Sequence, residues 1–365
     1  MTVLVVNVGS TSLKYALYAD DDRAVERGAA ARVTDLAGAL DEMLALLQPH
    51  LAGVGAIAFK VVHGGEVTGC VYLDDDATGA LRRFAAAAPA HNPPYLQAIE
   101  HLRLAAPGVP LVGSFETGFH AGWTPEARTL AVPAGWEERY GLRRYGFHGA
   151  SHRFIAERLA ELEPGARRLL SCHLGGSSSI CAIRDGASVD ATMGFSPQSG
   201  LPQAERVGDL DAFAIAHLAA NGVGVEEAAA ALASEAGLRG LSGLSGDLRD
   251  LEAAEAGGHE GAAFALRAYA YAARKAIGGL AAALGGVDAV AFTGGMGEHS
   301  AGLRACICDG LAFLGIELDP ERNEAAAGEA RVAPDDARVA VWVLPTDEER
   351  ILLRQTRELL REDRA

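Results

Sequence analysis

An apolar run from Val3 to Val6, a polar turn of Asn7, Val8, Gly9, Ser10, Thr11 and Ser12, and a second apolar run from Leu13 to Tyr18 open the chain. The pattern predicts strand, glycine and hydroxyl turn, strand. It returns about half a chain later, in Leu169 to Cys172, then His173, Leu174, Gly175, Gly176, Ser177, Ser178 and Ser179, then Ile180 to Ile183. A looser third instance is the run Ala289 to Phe292, which ends in Thr293, Gly294, Gly295, Met296, Gly297 and Glu298. Repetition at this separation predicts duplicated domains rather than a solenoid, whose repeats recur every ~20 to 50 residues. The 365 residues also exceed what one hydrophobic core usually organises.

Ala/Leu-rich stretches between these runs, including Ala212 to Ala220 and Ala262 to Leu284, read as helices, so the class is α/β. The C-terminus reads as a strand from Val339 to Leu344, then Pro345, a cap at Thr346 with Glu349 three residues on, and a helix from Glu348 to about Arg361.

A formal charge of −16 argues against a nucleic-acid partner, whose backbone is held by clustered lysine and arginine. No apolar run reaches the roughly 18 to 20 residues that span a bilayer, and no basic region precedes the first apolar strand. A cytoplasmic protein is therefore expected, without a membrane partner. The five cysteines (Cys70, Cys172, Cys181, Cys306 and Cys308) are an odd number without zinc spacing and read as reduced thiols.

Anion binding must then come from local sites. Glycine turns let backbone N–H groups approach phosphate oxygens, and Ser or Thr adds donors, although a single such turn is also an ordinary solvated hairpin. Lys60, His63, Gly64 and Gly65 stand where an apolar strand stops, equally readable as surface lysine and turn. His91, Asn92, Pro93 and Pro94 read as a stiff polar loop, and Glu116 follows a strand from Val109 to Val112. Arg143, Arg144, Tyr145, Gly146, Phe147 and His148 concentrate cations and rings. Arg206 belongs to a residue type that grips carboxylate and phosphate through two parallel hydrogen bonds, or to a plain charged loop. Glu348 suits the first turn of a helix whatever else it does.

Taken in order, VLVVNVGSTSLKYAL, KVVHGGE, HNPPYLQAI, SFETGFH, RRYGFHGASH, SCHLGGSSS, MGFSPQSGLPQAERVGDLD, GLSGLSGDLRDLE, VDAVAFTGGMGEHS and LPTDEER resemble the acetate kinase family over nearly the whole chain. The resemblance implies the actin, Hsp70 and sugar kinase (ribonuclease H-like) fold, with two duplicated α/β domains around a nucleotide cleft, and a homodimer. Its first domain would take residues 1–120 plus 349–365 and its second, nucleotide-binding and dimerising, 121–348. It implies ATP-dependent phosphorylation of acetate to acetyl phosphate, with Mg2+ as cofactor. By position, Asn7 and Glu348 would serve the metal, and Glu116, His148 and Arg206 the catalysis. Lys60, Val62, Ala90, His91, Phe147 and Pro197 would meet the carboxylate. Ser12, Lys14, His173, Gly175, Gly176, Ser177, Gly294, Gly295 and Gly297 would meet ATP or ADP.

Four positions depart from the family pattern. Lys60 stands where the family has arginine, Glu116 where it has aspartate, Gly176 where it has asparagine, and Ala90 where it has leucine. Lys60 keeps a charge but loses the guanidinium fork, and Glu116 is one methylene longer. Ala90 would enlarge the acyl pocket unless Tyr95 refills it, which opens the alternative of a propionate or butyrate kinase. A catalytically weak nucleotide-binding homologue is the remaining alternative.

Overall fold

The computed structural model describes residues 1–9 and 12–363; Ser10, Thr11, Arg364 and Ala365 lie outside the described residues. The chain forms two compact units. Unit one comprises Met1–Ala121, Val132–Leu142 and the chain from Asp347 on, and unit two comprises Gly122–Ala131 and Arg143–Thr346. Glu348 thus belongs with unit one, where the sequence reading had assigned it to the second domain, and so does the segment Val132–Leu142.

Unit one carries β1 (Thr2–Val8), β2 (Ser12–Tyr18), β3 (Ala24–Ala31), β4 (Val54–Val61), β5 (Cys70–Tyr72) and β6 (Leu111–Phe115) in the order β3-β2-β1-β4-β6-β5. Unit two carries β7 (Arg168–His173), β8 (Ser179–Arg184), β9 (Ala187–Ala191), β10 (Ala289–Thr293), β11 (Ala330–Arg331) and β12 (Ala340–Val343) in the order β9-β8-β7-β10-β12-β11. The two orders are the same when each unit's strands are counted from its own first. The directions also agree. β1 pairs antiparallel with β2 and parallel with β4, and β7 does the same with β8 and β10. β4 with β6, and β10 with β12, are parallel, while β5 and β11 close their edges antiparallel. The duplication expected from the repeated turns is present strand for strand.

The central strands β1, β4, β7 and β10 are near-continuous apolar runs because both faces of a helix-covered parallel sheet are buried. In unit one the helix Glu348–Glu362 sets Leu352 and Leu353 against Val3, Val5, Ala16 and Ala58, and Leu360 against Ala56 and Val112. Asp347, not Thr346, caps this helix, its carboxylate accepting the Arg350 N–H at 3.0 Å. In unit two the 25-residue helix Glu260–Leu284 packs Tyr269, Ala273 and Ile277 into a core with Leu170, Ile180 and Phe292.

Other local readings also change. His91 to Pro94 is not a loop: Asn92 opens the helix Asn92–Ala105, and its prolines occupy the first turn, where the missing N–H has no intrahelical acceptor to lose. Asn92 is buried, donating to the carbonyls of His63 and Leu81 at 2.8 and 2.9 Å. β6 begins at Leu111 rather than Val109. The glycines after β10 open a short helix, Gly294–His299, rather than a hairpin turn.

Candidate functional site

In unit one, β1, β4 and β6 run parallel and so deliver their C-terminal ends to one edge of the sheet. Asn7 is near the end of β1 and Lys60 near the end of β4, while Glu116 follows β6 and donates its backbone N–H to Val61 O at 2.9 Å. Glu348 reaches them from the start of the last helix: Lys60 Nζ donates to its Oε2 at 2.6 Å, with side chains 24% and 20% exposed. Burial opposes the lysine charge, but Glu348 and Glu116 outweigh it, so the ammonium holds its proton above the usual lysine range. Glu116 is itself only 3% exposed.

Tyr95, one turn into the Asn92–Ala105 helix, ties this group together. Its hydroxyl donates to Asn7 Oδ1 at 3.0 Å, and its ring meets Phe59 edge-on with centroids 6.4 Å apart. Burial pushes the phenol up to about 12, with Lys60 opposing and Glu116 and Glu348 adding to the shift. Among the acceptor candidates, Val62 is buried just after β4, Ala90 is partly exposed, and His91 sits at the N-cap of the helix. Behind them the His63 ring stacks on Phe84 at 4.3 Å, and Gly64 is required because a Cβ there would strike the Phe115 ring. Lys14 is exposed and pairs with Asn7 in the β1–β2 ladder, which puts both side chains on one face. Ser12 O accepts the Gly9 N–H at 2.8 Å and closes the hairpin.

In unit two, the turn after β7 and the helix after β10 pack on each other. Leu174 O accepts the Met296 and Gly297 N–H groups at 2.9 and 3.1 Å. Gly294 has φ 77, and a Cβ on it would lie 2.7 Å from Leu174 O. Ser178 Oγ accepts from Tyr269 Oη at 2.8 Å and donates to Gly175 O at 2.9 Å, which pins the first turn to the core helix. A cavity of about 640 Å³ opens beside these turns, lined by Gly175, Gly176 and Gly295 and by residues of the stretch Ser245–Glu252. It has room for a nucleoside.

Arg206 borders the same turn. One guanidinium nitrogen donates to Ser177 Oγ at 3.2 Å, Gln203 Oε1 at 3.3 Å and Pro197 O at 3.4 Å. Burial lowers its pKa while Glu205 opposes, yet an arginine stays charged under all such shifts. Gln203 is buried and also donates to Pro197 O at 2.8 Å. Gly237, at φ 58, crosses so close that a Cβ would meet Arg206 O at 2.7 Å and collide with Gln203 O. Phe147 is buried, and His148 follows with φ 57, at the N-cap of the helix Gly149–Leu162. His173 stands against His148, ring centroids 4.3 Å apart, and is absent from the cavity lining.

The structure therefore gathers Asn7, Lys60, Glu116 and Glu348 in unit one, and Gly175, Gly176, Ser177, Gly295 and Arg206 in unit two. Sequence reasoning gave no role to Gln203, His152, Ser179 or Gly237, and none to Ser245–Glu252 beyond its place in a resembling string. Among the described residues no cluster of three or more His, Cys, Asp or Glu forms a metal-binding group, and no helix is long and apolar enough to cross a membrane.

Comparison with known proteins identifies the family. The model of the acetokinase family matches residues 19–354. An acetate kinase of Bacteroides fragilis is 37% identical over 400 residues, spanning 99% of this chain and all of that protein. The crystal structure of acetate kinase from Entamoeba histolytica superposes with TM-score 0.90 at 30% identity, over 99% of this chain and 100% of that one. A propionate kinase from Francisella tularensis superposes with TM-score 0.90 at 27% identity, over 98% and 99%. With sequence and duplicated topology matching end to end, the chain belongs to the acetate kinase (acetokinase) family.

Proposed function

We propose that this protein is an acetate kinase, reversibly transferring the γ-phosphoryl group of ATP to acetate to give acetyl phosphate and ADP. The observation that carries this reading is the continuity in unit two between a nucleoside-sized cavity, the turn whose Gly175 and Gly176 line it, and the Arg206 guanidinium bonded to Ser177, the next residue of that turn. The turn receives phosphates through backbone N–H groups, and Arg206 binds the moving phosphoryl group and the acceptor.

The acceptor carboxylate is already ionised at neutral pH, so its oxygen attacks phosphorus without a general base. The new P–O bond forms in line as the bond to the β-phosphate oxygen breaks, and that oxygen leaves with its electron pair on ADP. The protein's task is to position the reactants and neutralise charge on the equatorial oxygens. Arg206 and His148 of unit two are assigned that task. Glu116 and Glu348 hold Lys60 charged and oriented. Asn7 Oδ1 meets Tyr95, and the Glu116 and Glu348 carboxylates meet Lys60; such oxygen donors suit Mg2+, an ion that takes one or two carboxylates and keeps its waters and phosphates. When bound there, Mg2+ supplies charge neutralisation. Asn7 and Glu348 are the residues assigned to hold it.

Ala90 favours a second reading, a preference for propionate or butyrate. Each additional buried CH2 contributes about 0.8 kcal/mol, or several fold per carbon. Tyr95 commits its hydroxyl to Asn7 and its ring edge to Phe59, which ties it down within unit one. A third reading, a catalytically weak nucleotide-binding homologue, draws on Lys60, Glu116 and Gly176. Acyl phosphate trapped as hydroxamate, measured with ATP, Mg2+ and a series of straight-chain carboxylates, separates the three. Acetate giving the highest kcat/KM supports the first, an optimum at three or four carbons supports the second, and no product with nucleotide still bound supports the third.

Two further assignments accompany the activity. Unit two exposes Phe213, Phe264 and Tyr271 at 81%, 52% and 66%, apolar surface that a second copy would cover in the homodimer assigned to it. The five unpaired thiols support a reducing, cytoplasmic setting.

A further inference from the structure

Behind His148 lies a row of hydrogen-bonded side chains that the proposed chemistry does not use directly. Ser179 Oγ is 2.8 Å from His148 Nδ1 and 2.7 Å from His152 Nε2, and His152 Nδ1 is 2.8 Å from Ser171 Oγ. Ser171, Ser179 and His152 are each 0% exposed. Three elements hold the row: Ser171 lies on β7, Ser179 opens β8, and His152 is in the first turn of the Gly149–Leu162 helix. His148 is fixed at its base by a left-handed backbone that costs a non-glycine residue about 1 kcal/mol or more, and by the His152 N–H bond to its carbonyl at 2.9 Å. The His173 ring, itself held by Ser151 Oγ at 2.8 Å, limits rotation of the His148 ring.

A neutral imidazole has one proton for two nitrogens, and a hydroxyl has one proton. With both nitrogens of His152 bonded to hydroxyls, the row has two neutral proton orders. In one, Ser171 donates to His152 Nδ1, His152 Nε2 donates to Ser179, and Ser179 donates to His148 Nδ1. The proton of His148 then resides on Nε2, as a donor. In the reverse order every bond runs the other way, and His148 Nε2 is a bare acceptor. A phosphoryl oxygen is bound by the first order and repelled by the second.

We propose that Ser171, His152 and Ser179 are positioning residues that hold His148 as its Nε2–H tautomer, a hydrogen-bond donor aimed at a phosphoryl oxygen. The inference rests on the reading of the protein as an acyl-phosphate-forming kinase, and it assigns to His152 a purpose beyond packing. None of the three touches substrate. They act through His148.

The test is two-bond 1H–15N correlation spectroscopy of the full-length protein labelled with 15N-histidine, with the His148 signals identified by their loss in His148→Gln. The wild type is expected to show His148 protonated at Nε2 with Nδ1 as acceptor. Ser179→Ala is expected to give a mixture of tautomers and about a 10- to 100-fold fall in kcat, with KM for ATP and acetate within about threefold. Should Ser179→Ala fail to fold, Ser171→Ala is read the same way. His148 protonated at Nδ1 in the wild type, or an unchanged Nε2–H signal and kcat in the folded variants, would overturn the proposal. The expected tautomer shift in a protein that makes no acyl phosphate would sustain the proton order while removing the kinase reading.

Discussion

The Lys60 ammonium donates to the Glu348 carboxylate at 2.6 Å, joining the end of β4 to the start of the last helix. Glu116 adds a second negative charge to the same lysine. Lysine and two acids thus form one group, in which the lysine charge is offset by the two carboxylates.

Lys60→Met is expected to reduce kcat/KM for the carboxylate by about 100-fold or more, because it removes a positive charge and leaves two acids facing each other. Loss of the pair is expected to cost about 2 kcal/mol, below the range for fully buried pairs because both side chains retain some exposure. The folded pKa of Lys60 is raised, so its contribution is complete below the ordinary lysine value of about 10.4 and disappears only as pH climbs through the raised value. Thermal unfolding of both proteins between about pH 7 and 9 is expected to show a constant difference; a difference that shrinks across that range contradicts the assignment.

Arg206→Ala is expected to lower kcat by about 100- to 1,000-fold with ATP affinity changed by only a few fold. Arg206→Lys is expected to rescue little, since a lysine cannot serve Ser177, Pro197 and Gln203 while presenting a flat fork to an anion. Unchanged turnover in either variant would mean the transfer site has been assigned to the wrong residue.

Two glycines near Arg206 and Ser177 are expected to behave oppositely. Gly237→Ala puts a Cβ at φ 58 against the Arg206 and Gln203 carbonyls, so about 1 to 3 kcal/mol of stability and about tenfold in kcat should be lost together. Gly176→Ala places its Cβ in open space and is expected to change stability by under about 0.5 kcal/mol. Equal effects by chemical denaturation would show that Gly237 does not brace the arginine loop.

Much of this architecture is legible in the sequence, for physical reasons. β1, β7 and β10 announce themselves as apolar runs because helices cover both sheet faces, and the glycines after them mark where the chain leaves the sheet. His91 to Pro94 misleads because proline signals a break in the middle of a helix but suits its first turn. Thr346 and Asp347 are both good caps, and only the fold decides between neighbours. The roles of Tyr95 and Gln203 arise from contacts with side chains brought close by the fold, and the cavity wall from Ser245 to Glu252 has no local pattern that distinguishes it from a capped surface helix.

Asp288 tests the acid side. Arg168 holds its carboxylate at 2.5 Å and the Arg167 and Arg168 N–H groups add to this, so its pKa lies below the usual aspartate range. Its contribution is therefore complete above the unfolded value of about 3.9 and disappears as pH falls through the lower folded value. Asp288→Asn is expected to cost about 1 kcal/mol at pH 7, discounted for the exposed arginine, with the gap to wild type closing only below about pH 4. A gap that closes between pH 5 and 7 would contradict this.

Direct phosphoryl transfer to a carboxylate is read out by 31P NMR of the protein with ATP, Mg2+ and acetate. An acyl phosphate resonance is expected to grow in step with ADP, and ATP to form when acetyl phosphate and ADP are supplied instead. ADP appearing with inorganic phosphate alone, at any acetate or propionate concentration, would contradict it.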